Sequence, residues 1–341
     1  MKSAEFNYYL PHQYIAQEPL EKREFSRLLV VQRKERKLKE FVFKDIVDLL
    51  LPSDCLVLND TKVLPAKIYG RKESGARIEF LFIKEYRKGL WEVLVKPQKR
   101  LKEDTKVILS DNVEFKAVKR IRGGRWLVKT PFLDVKSILN LYGEMPTPPY
   151  IKTKLKDNSR YQTVYAEKEG SIAAPTAGFH FTKDILAKLK EKGITVVYLT
   201  LHVGIGTFRP IRTENIEDHR MEEEEFFISS KCADIINRAK KEKKRVIAVG
   251  TTAVRALESS VEKKKSGFYI KAGRKKTSLF IHPQYKFKII DSLLTNFHLP
   301  LSTNLVLVSA FAGGELIKEA YNYAIKRKFR FYSFGDAMLI I

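Results

Sequence analysis

Apolar and polar positions change their rhythm twice along the chain. Up to residue 58 the pattern suits a short α/β lead-in. Residues 28–31 form an apolar strand candidate, and 41–51 a helix with Ile46, Leu49 and Leu50 inward. Asp54 then leads into a buried strand over 55–58. From Ala66 to about Pro131 the period shortens to two. Strands are predicted at 77–83, 90–96, 105–109, 114–120 and 126–129, with turns at 73–75, 87–89, Asp111-Asn112 and Gly123-Gly124. Several short strands in succession imply a small antiparallel barrel or sandwich. After the proline-rich link 145–150 and Tyr161, strand and helix alternate. Helices are expected at 183–192, from Ser229 or Ser230 with Cys232, Ile235, Ile236 and Ala239 on one face, at 251–257, from Ser302 or Thr303 to 312, and at 315–327. Strands are expected at 195–203, 226–228 and 246–250, with another opening at Ile289-Ile290. The implied organisation is a discontinuous α/β domain, residues 1–59 and 151–341, with a mostly parallel sheet. A β insert occupies 60–150.

The stretch 170–182, GSIAAPTAGFHFT, combines small residues, hydroxyls and a histidine directly before a helix that Thr182 can cap. Glycine there lets backbone come close to a partner, and a helix N-terminus favours an anionic or polar ligand. A tight loop with no ligand fits the same residues equally well. In an α/β sheet, ligands are expected at the carboxyl ends of the strands.

Composition adds one strong signal. Sixty-four Lys and Arg against forty Asp and Glu leave a formal charge of +24, which points to a polyanionic partner. A hydrophobic share of 44% excludes a disordered chain. No signal peptide opens the sequence, no apolar run is long enough to span a bilayer, and two cysteines fit no disulfide framework or zinc pattern. The expectation is a cytoplasmic protein, monomeric, with no membrane and no metal. Residues 263–288 carry nine basic and no acidic residue, interleaved with Phe268, Tyr269, Phe280, Tyr285 and Phe287. That mixture suits phosphate contact with base stacking, or a basic hairpin whose aromatics face the core.

Phosphate-loop, GxGxxG, GxSxG, HExxH and CxxC signatures are all absent, which lowers the likelihood of nucleotide hydrolysis, ordinary dinucleotide binding and zinc chemistry. What remains is a scatter of polar residues at strand ends and turns: His180, His202, Arg209, Asp218-His219, Arg255, Asn296, His298, Asp60 and Asp336. Histidine is suited to proton transfer near neutral pH, although a hydrogen-bonded loop clamp is the commoner role. Arg255 at a helix start opposes the dipole and hints at a ligand carboxylate or phosphate. The run 222–225 of four glutamates reads most simply as solvated.

Taken together, IAQEPLEKREFSRLLVV (15–31), LNDTKVLPAKIYG (58–70), YQTVYAEKEGSIAAPTAGFHFT (161–182), LHVGIGTFRPI (201–211), AVGTTAVRALES (248–259), TNFHLPLSTNLVLVSAFAG (295–313) and FRFYSFGDAMLI (329–340) resemble the S-adenosylmethionine:tRNA ribosyltransferase-isomerase family of queuosine biosynthesis. The resemblance runs nearly end to end. It departs in the family's H-x-M-H-x-E pattern, where a glutamate follows His219 and Met221 in place of the second histidine. It implies an α/β domain with a β-barrel, and transfer and isomerisation of the ribosyl part of S-adenosylmethionine onto 7-aminomethyl-7-deazaguanine at the tRNA wobble position. Epoxyqueuosine-tRNA, adenine and methionine would be the products. S-adenosylmethionine is then a consumed co-substrate, and no cofactor is needed. Such chemistry needs a base for the 5′ C–H acidified by the sulfonium, an acid near adenine, and a clamp for the methionine carboxylate. The candidates are His180 or His219 as base or acid, Asp218 or Asp60 as partner, and Arg255 as clamp. Thr176, Gly178, Gly204 and Gly206 would line the approach, with Asn296 and His298 contacting base or adenine. A non-catalytic RNA-binding module and an RNA methyltransferase are the rival readings.

Overall fold

Four strands, Thr195–Leu201, Cys55–Asn59, Val246–Val249 and Ser292–Asn296, lie side by side and run parallel in a computed structural model that describes residues 1–110, 113–130, 134–208, 210–265 and 267–341. The turn expected at Asp111-Asn112 and the candidate Arg209 lie outside the described residues. The three strands other than Thr195–Leu201 are buried throughout, as continuous apolar runs in a sheet covered on both faces should be. Beyond Ser292–Asn296 the direction reverses. Ala337–Ile340 pairs antiparallel with it and parallel with Arg27–Gln32, and Lys37–Val42 forms the edge. On the opposite side Glu224–Ile228 and Gly273–Thr277 add antiparallel strands, making nine in all. The sheet is therefore mixed, and the expected parallel character holds for its centre.

These directions gather the site. One edge of the sheet collects the carboxyl ends of the four parallel strands. It also collects the starts of Arg27–Gln32 and Ala337–Ile340, because Asn296 faces Ala337 and Leu28 faces Ala337 in register. Helices Lys183–Glu191, Ser230–Lys241, Thr251–Ser259, Thr303–Ala312 and Gly314–Lys326 complete this unit. Thr182, Ser229 and Ser302 cap the first, second and fourth of them through hydroxyls accepting from the N–H three residues on.

Three local expectations are corrected. Phe41 and Val42 belong to the edge strand Lys37–Val42, and the helix expected over 41–51 is the single turn Ile46–Leu49 after a 3-10 turn, Phe43–Asp45. Ile289 and Ile290 are buried but open no strand. Their N–H groups donate to the buried Glu258 carboxylate at 3.0 and 3.2 Å, and the strand starts at Ser292. The basic stretch 263–288 is not one hairpin: Val261–Lys264 pairs with Gly267–Ile270, and Gly273–Thr277 joins the large sheet.

The second unit is a closed six-stranded antiparallel barrel, ordered Arg125–Lys129, Leu90–Lys96, Arg77–Arg87, Lys67–Arg71, Lys106–Ser110 and Val113–Ile121. Alternation along Arg77–Arg87 turns Phe80 and Phe82 inward against Phe115 and Trp91, with ring centroids 5.3–6.3 Å apart. The strand Lys67–Arg71 and the helix Val135–Tyr142, capped by Asp134, were not expected from the pattern. Contacts group Met1–Thr61, Pro148–Lys168 and Ala174–Ile341 into the sheet unit, and Lys62–Thr147 with Glu169–Ala173 into the barrel unit.

Candidate active site

Where the parallel strands end, the sheet unit encloses a cavity of about 80 Å³. Its walls come from residues 174–177, 250–252 and 295–299, with Tyr150, Tyr332 and Ser333 closing one side. Each wall follows from a chain reversal at a strand end. Gly250, at φ 85°, turns the buried strand Val246–Val249 abruptly into the helix Thr251–Ser259, and no side chain caps that helix. Its first-turn N–H groups and dipole are thus directed at the cavity edge where Thr251 and Thr252 lie. Asn59, at the end of the neighbouring strand, fixes Thr252 by donating to its hydroxyl at 3.1 Å and to the Leu201 carbonyl at 3.0 Å.

A polar line runs from the cavity into the core. The Thr176 hydroxyl donates to Asn296 Oδ1 at 2.8 Å, and Asn296 Nδ2 donates to His180 Nε2 at 3.2 Å. With Nε2 accepting, the ring proton sits on Nδ1 and is directed to Ser26 Oγ, 2.7 Å away. His180 stacks on Phe43 at 5.0 Å and is 4% exposed. Burial, together with the nearby Arg23 and Arg330, pushes its pKa down to about 3, so the ring is neutral at working pH. His298 lines the cavity itself, sharing a 2.9 Å hydrogen bond between Nε2 and the Thr295 hydroxyl. Burial also holds this imidazole at about 3.

Of the residues expected from sequence, Thr176, Asn296 and His298 thus line one cavity, and His180 stands behind Asn296. The others are elsewhere. Gly178 is a packing glycine: a Cβ there would sit 2.0 Å from the Tyr165 hydroxyl and 2.8 Å from Thr163 Cγ2. Asp60 accepts from the Thr200 hydroxyl at 2.6 Å, and burial raises its carboxyl pKa. Asp218 is exposed, and the half-buried His219 packs its ring edgewise on Phe280 at 5.2 Å. Burial lowers the His219 pKa. Gly204 donates its N–H to Glu224 Oε1 at 2.8 Å, and Gly206 approaches Glu222.

Arg255 faces away from the cavity into an ion pair with Glu224, both 4% exposed, and donates further to the carbonyls of Leu279 and Thr277 at 3.0 and 3.4 Å. The 222–225 run is therefore not wholly solvated, because Glu224 is the buried counter-ion of Arg255. The cation at the helix start that hinted at a ligand is answered from within the fold. Sequence reasoning did not single out Thr251, Thr252, Thr295, Ser26 or Ser333. The available signal was the strand–Gly–Thr–Thr–helix order at 246–259, which places hydroxyls and free N–H groups at one strand end. Among the described residues no group of three or more His, Cys, Asp or Glu side chains is arranged to hold a metal ion, and no helix is long and apolar enough to cross a membrane.

The chain is similar to known proteins over its whole length. Residues 3–340 match the family described as queuosine biosynthesis protein. S-adenosylmethionine:tRNA ribosyltransferase-isomerase from Halothermothrix orenii is 53% identical and that from a Sulfurihydrogenibium strain 48% identical, each alignment covering 100% of both chains. The crystal structure of S-adenosylmethionine tRNA ribosyltransferase from Thermotoga maritima aligns with a TM-score of 0.56 at 35% identity, over 99% of this chain and 100% of that one. With a whole-chain family match, full-length relatives near 50% identity and a shared fold, this chain belongs to the queuosine biosynthesis family of S-adenosylmethionine:tRNA ribosyltransferase-isomerases.

Proposed function

We propose that this chain transfers the ribosyl part of S-adenosylmethionine to 7-aminomethyl-7-deazaguanine at the tRNA wobble position and isomerises it, giving epoxyqueuosine-tRNA and releasing adenine and methionine. It acts in the cytoplasm as a monomer, with S-adenosylmethionine consumed as co-substrate. The observation that carries the site assignment is the cavity at the strand ends, where Thr176, Asn296 and His298 meet the uncapped start of Thr251–Ser259. That helix start supplies N–H donors for the carboxylate of the methionyl group, a role first expected of Arg255. Thr176 and Asn296 present a hydroxyl and an amide held by His180, suited to hydrogen-bonding a ribose or purine edge. His298 is neutral at working pH, with one ring nitrogen bare and the other carrying N–H, so it can accept or donate a hydrogen bond but has no imidazolium proton to give. His180 is a positioning residue, because its two ring nitrogens are taken by Asn296 and Ser26.

The test is incubation with S-adenosylmethionine labelled in the ribose or in the methyl group, and tRNA bearing the precursor base. Ribose label in tRNA with stoichiometric adenine release is the expected result. Methyl label in tRNA, or tRNA binding with no adenine release, would overturn it. Asn296→Ala should cut adenine release by about fivefold to thirtyfold, corresponding to a lost hydrogen bond of about 1–2 kcal/mol in the transition state.

A further inference from the structure

Ser333 lines two cavities. One is the candidate active site, and the other is a small depression bordered by Leu20, Arg23, Arg160, His180 and Gly335. Two guanidinium groups, Arg23 and Arg160, border that depression, and a third, Arg330, acts electrostatically on its His180 wall and is anchored at Glu18, next to its Pro19 rim. Arg23 comes from the turn Arg23–Phe25, Arg160 from the turn Asn158–Tyr161, and Arg330 from the segment before the last strand. All three are half-buried, and all are anchored by main-chain carbonyls instead of carboxylates. Arg23 donates to Gln162 and Ser159 at 2.8 and 3.2 Å, Arg160 to Glu21 at 3.0 Å and to Leu20, and Arg330 to Glu18. Carbonyl anchors fix direction without cancelling charge. Two further N–H groups, Arg160 Nε and Arg330 Nη1, are buried with no hydrogen-bond partner among the described residues.

The acidic groups acting on the cluster are otherwise engaged. Asp157 spends its carboxylate on the N–H and hydroxyl of Ser159, and Asp336 on the main-chain N–H groups of Arg27 and Arg330. Burial above all, and then the neighbouring Arg160, lower the Arg23 pKa, with Asp157 acting against them. Asp157 and Asp336 offset part of this charge without bonding the guanidinium groups, and an anion in direct contact would complete it. Guanidinium forks match phosphate oxygens in both geometry and charge.

We propose that Arg23, Arg160 and Arg330 clamp one backbone phosphate of the RNA substrate, the phosphate next to the nucleotide that enters the active-site cavity past Ser333. The assignment rests on the cavity being the wobble-nucleotide site. Three cations exceed what a single methionine carboxylate needs, whereas a nucleotide in the cavity brings a phosphate on either side. The Ser333 hydroxyl, 2.7 Å from the Tyr150 hydroxyl, belongs to the wall that the two cavities share.

The experiment measures equilibrium binding of an anticodon stem-loop RNA without S-adenosylmethionine, so that it does not depend on turnover. Wild type is compared with Arg160→Gln, Arg330→Gln and the charge-keeping Arg160→Lys across a salt series. Each glutamine variant should bind RNA roughly threefold to tenfold more weakly and flatten the log–log salt slope by up to about 0.7, while Arg160→Lys keeps the slope. S-adenosylmethionine affinity, measured separately by equilibrium dialysis, should not change. RNAs with single uncharged methylphosphonate linkages then locate the contact. One linkage beside the wobble nucleotide should weaken wild-type binding, with no further loss in Arg160→Gln. Folded glutamine variants with an unchanged salt slope overturn the clamp, as does weakened S-adenosylmethionine binding with RNA binding intact. If the clamp behaves as expected but adenine is never released, it is the reaction assignment that fails.

Discussion

Arg255 is where local sequence and tertiary structure give different answers. Read locally it looks unsatisfied, because a cation near a helix start meets the positive end of the dipole, although the helix Thr251–Ser259 places it fifth, past the first turn. Its partner, Glu224, is 31 residues away in the strand Glu224–Ile228, and nothing in the intervening sequence joins them. Removing the cation leaves Glu224 charged and buried, so Arg255→Ala should cost about 3–5 kcal/mol, read as a fall in the urea midpoint. The same residue as a ligand clamp would instead raise KM at unchanged stability. Gly178 carries the same lesson: its small size serves the Tyr165 ring, and only the three-dimensional neighbour reveals that. Thr176, Asn296 and His298, by contrast, were legible, since each ends or follows an apolar run where strand ends place polar groups. Neutral imidazoles, buried at His180 and half-buried at His298, bring a pH dependence. His180 and His298 titrate near 6.5 when unfolded and near 3 when folded, so the unfolded state binds more protons between those values. Stability is therefore intact above pH 6.5 and declines as pH falls toward 3. His298→Gln should shallow that decline in unfolding free energy measured between pH 7 and pH 4.

At the scale of elements, what could be read was whatever alternated or capped cleanly. Five of the six barrel strands follow from period-two patterning, and the capped helices from Thr182, Ser229 and Ser302. Lys37–Val42 escaped because an edge strand buries little. Its sequence, KLKEFV, has no fully buried position, and the apolar residues just after it supplied a false helical stripe. Ile289 and Ile290 misled for the opposite reason, being buried by a loop that Glu258 holds through four main-chain N–H contacts to residues 288–290. The barrel depends on its aromatic filling. Phe115 is 0% exposed and touches Phe80 and Phe82 edge-on, so Phe115→Ala should lower stability by about 3–5 kcal/mol. The calorimetric midpoint of the variant measures it.

The charge of the whole chain belongs to the association step. With +24 spread over 341 residues, RNA binding should weaken steeply between 50 and 200 mM salt, while binding of the small sulfonium substrate should barely respond. Titrating both ligands across that range checks the difference. Another molecule-wide property follows from strand order. Ala337–Ile340 sits inside the sheet, between Ser292–Asn296 and Arg27–Gln32, so the hairpin made by Arg27–Gln32 and Lys37–Val42 has no sheet to join until those late residues are in place. A ribosome-bound chain lacking them would carry its first strands as an unpaired ribbon. The cavity wall at Asn296 and the arginines at 23 and 330 would then be assembled together, in the last act of folding.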